Sequence, residues 1–169
     1  MSKAQLFTAD TFIALSIFIV ILISMAWSWN TVTERVLQQN ARMGMEIFAK
    51  NAMSLLIETS GVPANWAAEQ DINNIVSLGL ANTYPSVLAS SKLLRLQELN
   101  SNYTDVKRLL GLQGYDFHLQ VYVYNGTAYP EIPGYELGYA PSDAGNVVIL
   151  SRYALLDDEW ARLGLEVWK

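Results

Sequence analysis

From Phe12 to Trp29 apolar residues follow one another with no period, interrupted only by Ser16, Ser24 and Ser28 and softened by the small Ala14 and Ala26. A run that is apolar on every side predicts a helix surrounded by hydrocarbon or by protein, not one lying half in water. Its 18 residues make about 27 Å of helix, close to the thickness of a bilayer's hydrocarbon core. Ten of the 18 are Phe, Ile, Leu or Val, which together contribute about −3 to −6 kcal/mol towards insertion. Trp27 and Trp29 close the run where an aromatic belt sits. A cleavable secretory peptide has a shorter apolar core, about 7–15 residues, that ends in small side chains. Here Met25-Ala26-Trp27-Ser28-Trp29 ends it with bulky rings, so the segment is expected to stay attached. Lys3 ahead of the run predicts that the N-terminus stays inside and that residues beyond Trp29 lie outside.

Past Trp29 the apolar positions become periodic. Between Asn30 and Thr59 there is no Pro and one Gly, Gly44, so the helix is expected to continue. Projected at helical spacing, Val32, Val36, Met43 and Ile47 form one stripe. Leu37, Ala41, Met45, Phe48, Ala52, Leu55 and Leu56 form a second, broader one. Two stripes predict one face packed on a head domain and another offered to a partner helix. Glu46 and Lys50 stand four apart in the favourable order. Gly61 and Pro63 follow the last periodic residues, the usual order at a helix C-terminus. Counted from Ala9 to Ser60, the helix is about 52 residues, or roughly 78 Å if unbroken. Asp10 then falls at its first turn, where a carboxylate gains from the dipole and accepts from free N–H groups.

Beyond Gly61 the period changes again. Residues 61–71 read as a loop anchored by Trp66, and 75–81 as a short strand. Ser90 or Ser91 is expected to cap a helix through Leu99, and Asn102 or Thr104 another through Leu110. From Tyr115 to Tyr124 the residues alternate: Tyr115, Phe117, Leu119, Val121 and Val123 on one face, Asp116, His118, Gln120, Tyr122 and Tyr124 on the other. That predicts a half-buried strand, with His118 facing solvent, followed by a turn at Asn125-Gly126. The Gly-, Pro- and Tyr-rich stretch from Thr127 to Gly145 reads as an irregular loop. Val147–Leu156 and Trp160–Trp168, joined at Asp157-Asp158-Glu159, read as a closing β-hairpin. The fold class expected is α+β: a long N-terminal helix whose first half spans a membrane, carrying a β-rich globular head. Its parts are 1–10 as leader and helix start, 11–29 as membrane segment, 30–60 as extracytoplasmic continuation of the helix, and 61–169 as head.

Composition narrows the chemistry. The 169 residues include no Cys and one His, and the net charge is −5. No basic surplus is present for nucleic acid. Thiolate zinc, a disulfide framework and a cysteine nucleophile are excluded. A lone His makes a Ser-His-Asp triad improbable. Asp157-Asp158-Glu159 lacks the alternating ligands and mid-loop Gly of a calcium loop and reads as a solvated turn. No phosphate-binding glycine fingerprint occurs. An enzyme is not expected, nor a catalytic residue, a cofactor or a metal. Two N-x-[ST] triplets, at Asn102 and Asn125, are candidate N-glycosylation acceptors in the part expected outside.

Lys3-Ala4-Gln5, then Leu6-Phe7-Thr8-Ala9-Asp10 ahead of the apolar helix, resembles the N-terminus of the archaeal type IV pilin-like family. Class III signal peptides of that family end in Lys or Arg plus Gly or Ala, before a residue that is often Gln. Leu56-Ile57-Glu58-Thr59-Ser60-Gly61-Val62-Pro63 with Asn65-Trp66 is similar to a stretch that follows the long helix in the same proteins. The resemblance implies a pilin-like fold, cleavage between Ala4 and Gln5, and assembly into an extracellular filament through the apolar helix. Asp10, Phe12, Ile17 and Val20 are the assembly positions it implies, with Asp10 meeting the freed amino group of Gln5 in a neighbouring subunit. Bacterial relatives commonly carry Glu where this chain has Asp10. The partners implied are copies of the chain or related pilins, and membrane lipid before assembly. Neither nucleic acid nor a small-molecule substrate is expected. The residues themselves leave a second reading open, a monomeric membrane-tethered accessory or binding protein whose helix is only an anchor.

Overall fold

The computed structural model describes residues 3–130, 133–142 and 145–169, with side chains from Asp10 onward except Gln38. Its first element is α1, Lys3–Glu58. The chain divides into two compact units, residues 1–41 and 42–169. The first unit is the N-terminal stretch of α1. The helix starts six residues ahead of the expected Ala9, because nothing in Leu6-Phe7-Thr8-Ala9 breaks it. Asp10 therefore lies about two turns inside the helix and is not its N-cap, and dipole effects fade beyond the first turn.

The second unit is an α+β head built on the last turns of α1. Met45, Ala49, Ala52, Met53, Leu56 and Ile57 are buried at one core-facing side of that helix. The carbonyls at its end, which have no partner within the helix, are taken up by the head. Leu80 N–H donates to Leu56 O at 2.8 Å, Ser86 N–H to Ile57 O at 2.9 Å, and Ala81 N–H to Thr59 O at 3.0 Å. Lys92, itself buried, donates from Nζ to Ser60 O and Ala81 O, both at 2.8 Å. Gly61 turns the chain with φ +81°, as its place after the periodic residues predicts. It opens β1 (Gly61–Val62), which pairs antiparallel with β2 (Ser77–Leu78). Trp66 is the expected anchor: its side chain is fully buried and Nε1 donates to Gly79 O at 2.8 Å.

Then come β3 (Val87–Leu88), α2 (Ser90–Glu98), α3 (Tyr103–Leu109), β4 (Asp116–Val123), β5 (Tyr135–Gly138), β6 (Val147–Leu156) and β7 (Glu159–Trp168). The main sheet is five-stranded in the order β3-β6-β7-β4-β5. It is mixed, since β3 runs parallel to β6 and the other pairs are antiparallel. The expected hairpin is present as β6 and β7. Asp157 and Asp158 form its two-residue turn with φ of 50° and 69°, the twist-matched geometry that acidic and amide residues tolerate best after Gly. One sheet face buries Phe117, Leu119, Val121, Leu137, Val148, Leu163, Leu165 and Val167 with the leucines of α2 and α3.

Several expectations need correction. β3 was not foreseen, and β5 lies inside the stretch expected to be irregular. The strand expected over 75–81 is paired only at Ser77–Leu78, with an isolated bridge from Ala81 to Leu88. The N-cap of α2 is Ala89, with no side-chain cap. Ala89 is held there by its own N–H, which donates to Leu80 O at 3.0 Å, so neither Ser90 nor Ser91 caps. Asn102 occupies the N-cap position of α3 but gives no side-chain cap bond. His118 is not solvent-facing: it is 3% exposed. Glu136 from β5 and Glu166 from β7 reach over it from either side, with Nε2 at 2.6 Å from Glu136 Oε1 and Nδ1 at 3.5 Å from Glu166 Oε2.

Candidate interaction surface

In the first unit the side chains from Asp10 to Asn30 are exposed. Phe12, Ile17 and Val20 show 70%, 56% and 61% of their surface, so nothing in that unit covers them. This is a helix long and apolar enough to cross a membrane, lying near the N-terminus. Its hydroxyls suit apolar surroundings. Ser16 Oγ donates to Phe12 O at 2.8 Å, Ser24 Oγ to Val20 O at 2.8 Å, Thr31 Oγ1 to Trp27 O at 3.1 Å and Thr33 Oγ1 to Trp29 O at 2.9 Å. Each of these polar groups is satisfied one turn back along the same helix, which removes much of the cost of burying it. Asp10 is exposed. Ala4 and Gln5 fall in the first turns of α1, with side chains outside the described set.

The stripe of Val32, Val36, Met43 and Ile47 is exposed along its whole length. The broader stripe divides. Met45, Ala52 and Leu56 pack in the head core and Leu55 is half-buried, whereas Leu37, Ala41 and Phe48 are exposed. The core-facing set also takes in Ala49, Met53 and Ile57, which complete the i, i+4 spacing from Met45. Phe48 leans on Tyr115 with ring centroids 5.6 Å apart. Glu46 and Lys50 form the expected pair at 2.7 Å, and the hydrogen-bonded ammonium holds the Glu46 carboxyl below its ordinary range.

On the head, both sequon asparagines are exposed. Asn125 sits in a turn in which its Oδ1 accepts from Thr127 N–H at 3.0 Å and Ala128 N–H at 2.9 Å. The uncovered face of the sheet carries a cluster the sequence reading missed. Arg162 lies 4.7 Å from the Tyr122 ring and 5.5 Å from the Tyr129 ring, and Tyr129 in turn contacts Tyr124 and Tyr153. Strand register brings Tyr153, Arg162 and Tyr122 into one row. The alternation of Tyr122 and Tyr124 on the polar face was the one signal for it. Against known proteins, no family model matches this chain, and no curated protein or solved structure shows significant similarity to it.

Proposed function

We propose that the chain is a structural subunit, major or minor, of an archaeal type IV pilus-like extracellular filament. Residues 11–29 hold it in the membrane with the head outside, and assembly packs the apolar helices of neighbouring copies together. The chemistry is association, not turnover. One observation carries the reading. The exposed apolar surface of α1 runs on past the membrane-length segment through Val32, Val36, Met43 and Ile47. An anchor needs apolar surface only where lipid covers it, and such a strip in water is costly to solubility. A helix that must exchange lipid for neighbouring helices has a use for it.

The test is expression of a tagged full-length chain in an archaeal host, with filaments scored by electron microscopy. The double variant Val36→Asp/Ile47→Asp is expected to reach the membrane at parental levels and to lose filaments. A parent that inserts yet forms no filament under any assembly-competent condition replaces this reading with the anchor reading. Topology is checked separately: a thiol at Ala128→Cys should label from outside intact cells, and failure to label would place the head inside.

A further inference from the structure

At the end of the sheet where β4 begins and β7 finishes, Tyr103, Asp116, Tyr139, Ser142, Trp168 and Lys169 line an open cleft of about 470 Å³. That is within the range of small-molecule sites. Its most exposed ring is Tyr139, at 61%, and the fold constrains that ring closely. Gly138 ends β5 with φ +87°, and a Cβ there would run into the Phe117 carbonyl oxygen. No other residue type can turn the chain at that point without displacing β4. The turn is pinned by Asn100, whose Oδ1 accepts from Gly138 N–H at 3.0 Å, and by Tyr139 N–H donating to Phe117 O at 3.3 Å. The Tyr139 ring then stands edge-on to Tyr103, with centroids 5.1 Å apart and planes at 71°. Tyr103 is itself fixed. Its hydroxyl accepts from Phe117 N–H at 2.8 Å, and its ring stacks on Phe117 at 5.1 Å.

The polar wall has its own character. Asp116 is paired across the register with Trp168, and its side chain is half exposed. Its Oδ1 accepts from Lys107 Nζ at 2.9 Å. Among the described residues no bond is made to Oδ2. The carboxylate is thus charge-compensated by Lys107 and still has an acceptor to offer. A free anion meets Asp116, and among the described lining residues an alkyl chain finds Ala140 and the Lys169 stem as aliphatic surface. Ring faces beside a compensated carboxylate, a hydroxyl and an ammonium match a pyranose, whose C–H face covers an aromatic ring while its hydroxyls reach acceptors and donors at the rim.

We propose that this cleft is a binding site for a neutral saccharide, with Tyr139 as the stacking surface and Asp116 as the acceptor for sugar hydroxyls. The site stands on the head alone and does not depend on filament assembly. A shallow cleft of this kind binds weakly, with Kd of about 1 mM.

The experiment is saturation-transfer NMR on the full chain in a zwitterionic detergent without a sugar head group. Maltotriose, cellotriose and chitotriose are the probes. At least one should receive saturation on its ring protons. Tyr139→Ala should weaken it at least about tenfold, equivalent to one decade of Kd. Tyr139→Phe should retain it, and Trp160→Ala, on the outer sheet face, should leave it unchanged. Far-UV circular dichroism and a guanidinium unfolding midpoint of Tyr139→Ala matching the parent show that the loss is local. The proposal is overturned if none of the three sugars receives saturation, if Tyr139→Ala binds like the parent, or if Trp160→Ala loses binding as fully as Tyr139→Ala.

Discussion

Two stretches of α1, Asp10–Ala41 and Arg42–Glu58, share a backbone conformation and differ in what makes them helical. The outer stretch is crowded with β-branched residues, Ile13, Ile17, Ile19, Val20, Ile21 and Ile23, which lose χ1 freedom in a helix. In water its propensity is modest, and the unit that contains it covers none of these side chains. Under the proposed placement its helicity comes from surroundings without water, where a backbone that does not bond to itself is far costlier. The inner stretch faces the core with Met45, Ala49, Ala52 and Met53. Its alanines are the best helix formers, and they let other side chains approach closely. Here packing and capping by the head supply the stability. The difference teaches that one continuous helix can be covered by the fold at one end and left bare at the other, each part with its own way of failing.

The largest expected effect tests that separation directly. Trp66→Ala removes a fully buried indole and its bond to Gly79 O, and should cost the head about 3–5 kcal/mol. Ile17→Ala in the outer stretch should change head stability by less than about 0.5 kcal/mol. Guanidinium unfolding of the full chain in detergent, followed by near-UV circular dichroism, reads both. Comparable losses would mean that the two stretches do not act independently. Next in size is Lys92→Met, which leaves Ser60 O and Ala81 O without their shared donor at about 1–3 kcal/mol. Burial pushes the Lys92 ammonium below its ordinary 10.5. Between that lowered value and 10.5 the unfolded chain binds more protons, so Lys92 contributes more stability as pH rises through the window. The gap between parent and Lys92→Met should widen towards pH 10.5.

How much of this was legible depends on which interactions are local. The apolar run, the helix stop at Gly61, the strand from Asp116 to Val123 and the β6–β7 hairpin are set by period and turn chemistry within a few residues, and they were readable. β3 was not, because two residues pairing in parallel with Leu155 and Leu156 leave no pattern of their own. β5 was hidden by the Gly and Pro around it, and its place is set by pairing with β4, with Asn100 Oδ1 accepting from Gly138 N–H across 38 positions. His118 was misplaced for the same reason. Alternation assigned its face correctly, but what covers that face comes from Glu136 and Glu166 on other strands. The Tyr139 cleft is likewise an arrangement of separate segments, and no local pattern marked it within the stretch read as an irregular loop.

A smaller effect distinguishes two groups of the head that both act in alkali. Tyr103→Phe deprives Phe117 N–H of its acceptor and should cost about 1 kcal/mol near neutral pH. Burial pushes the Tyr103 hydroxyl up from 10 to about 12, with the neighbouring Asp116 adding to the rise. Between those values the folded state holds the extra proton, so stability falls as pH rises from 10 to 12, softened by the partial exposure of the ring. This slope is opposite in sign to that of Lys92. Unfolding midpoints taken across pH 9 to 11.5 should therefore fall more steeply for the parent than for Tyr103→Phe. Parallel curves would show that Tyr103 ionises as freely in the folded head as in the unfolded chain.

The smallest effect on folding is expected at Asp10, where the interest lies in assembly. Capping would be the simple account of a carboxylate at the edge of an apolar run. With α1 starting at Lys3, Asp10 is too far in to cap or to gain much from the dipole. An ionised group at the threshold of hydrocarbon is costly unless paired or hydrated, and within a filament it would need a cation. Asp10→Asn should therefore leave helix content, membrane insertion and head stability unchanged to within about 0.5 kcal/mol, while lowering filament yield. Asp10→Glu, which keeps the charge one methylene further out, should recover more filaments than Asp10→Asn. If Asp10→Ala lowers helix content in detergent and Asp10→Asn does not, a hydrogen bond from the side chain to the helix backbone matters after all. If all three variants assemble like the parent, the carboxylate has no part in holding copies in register, and the apolar surface of α1 must set the axial spacing by itself.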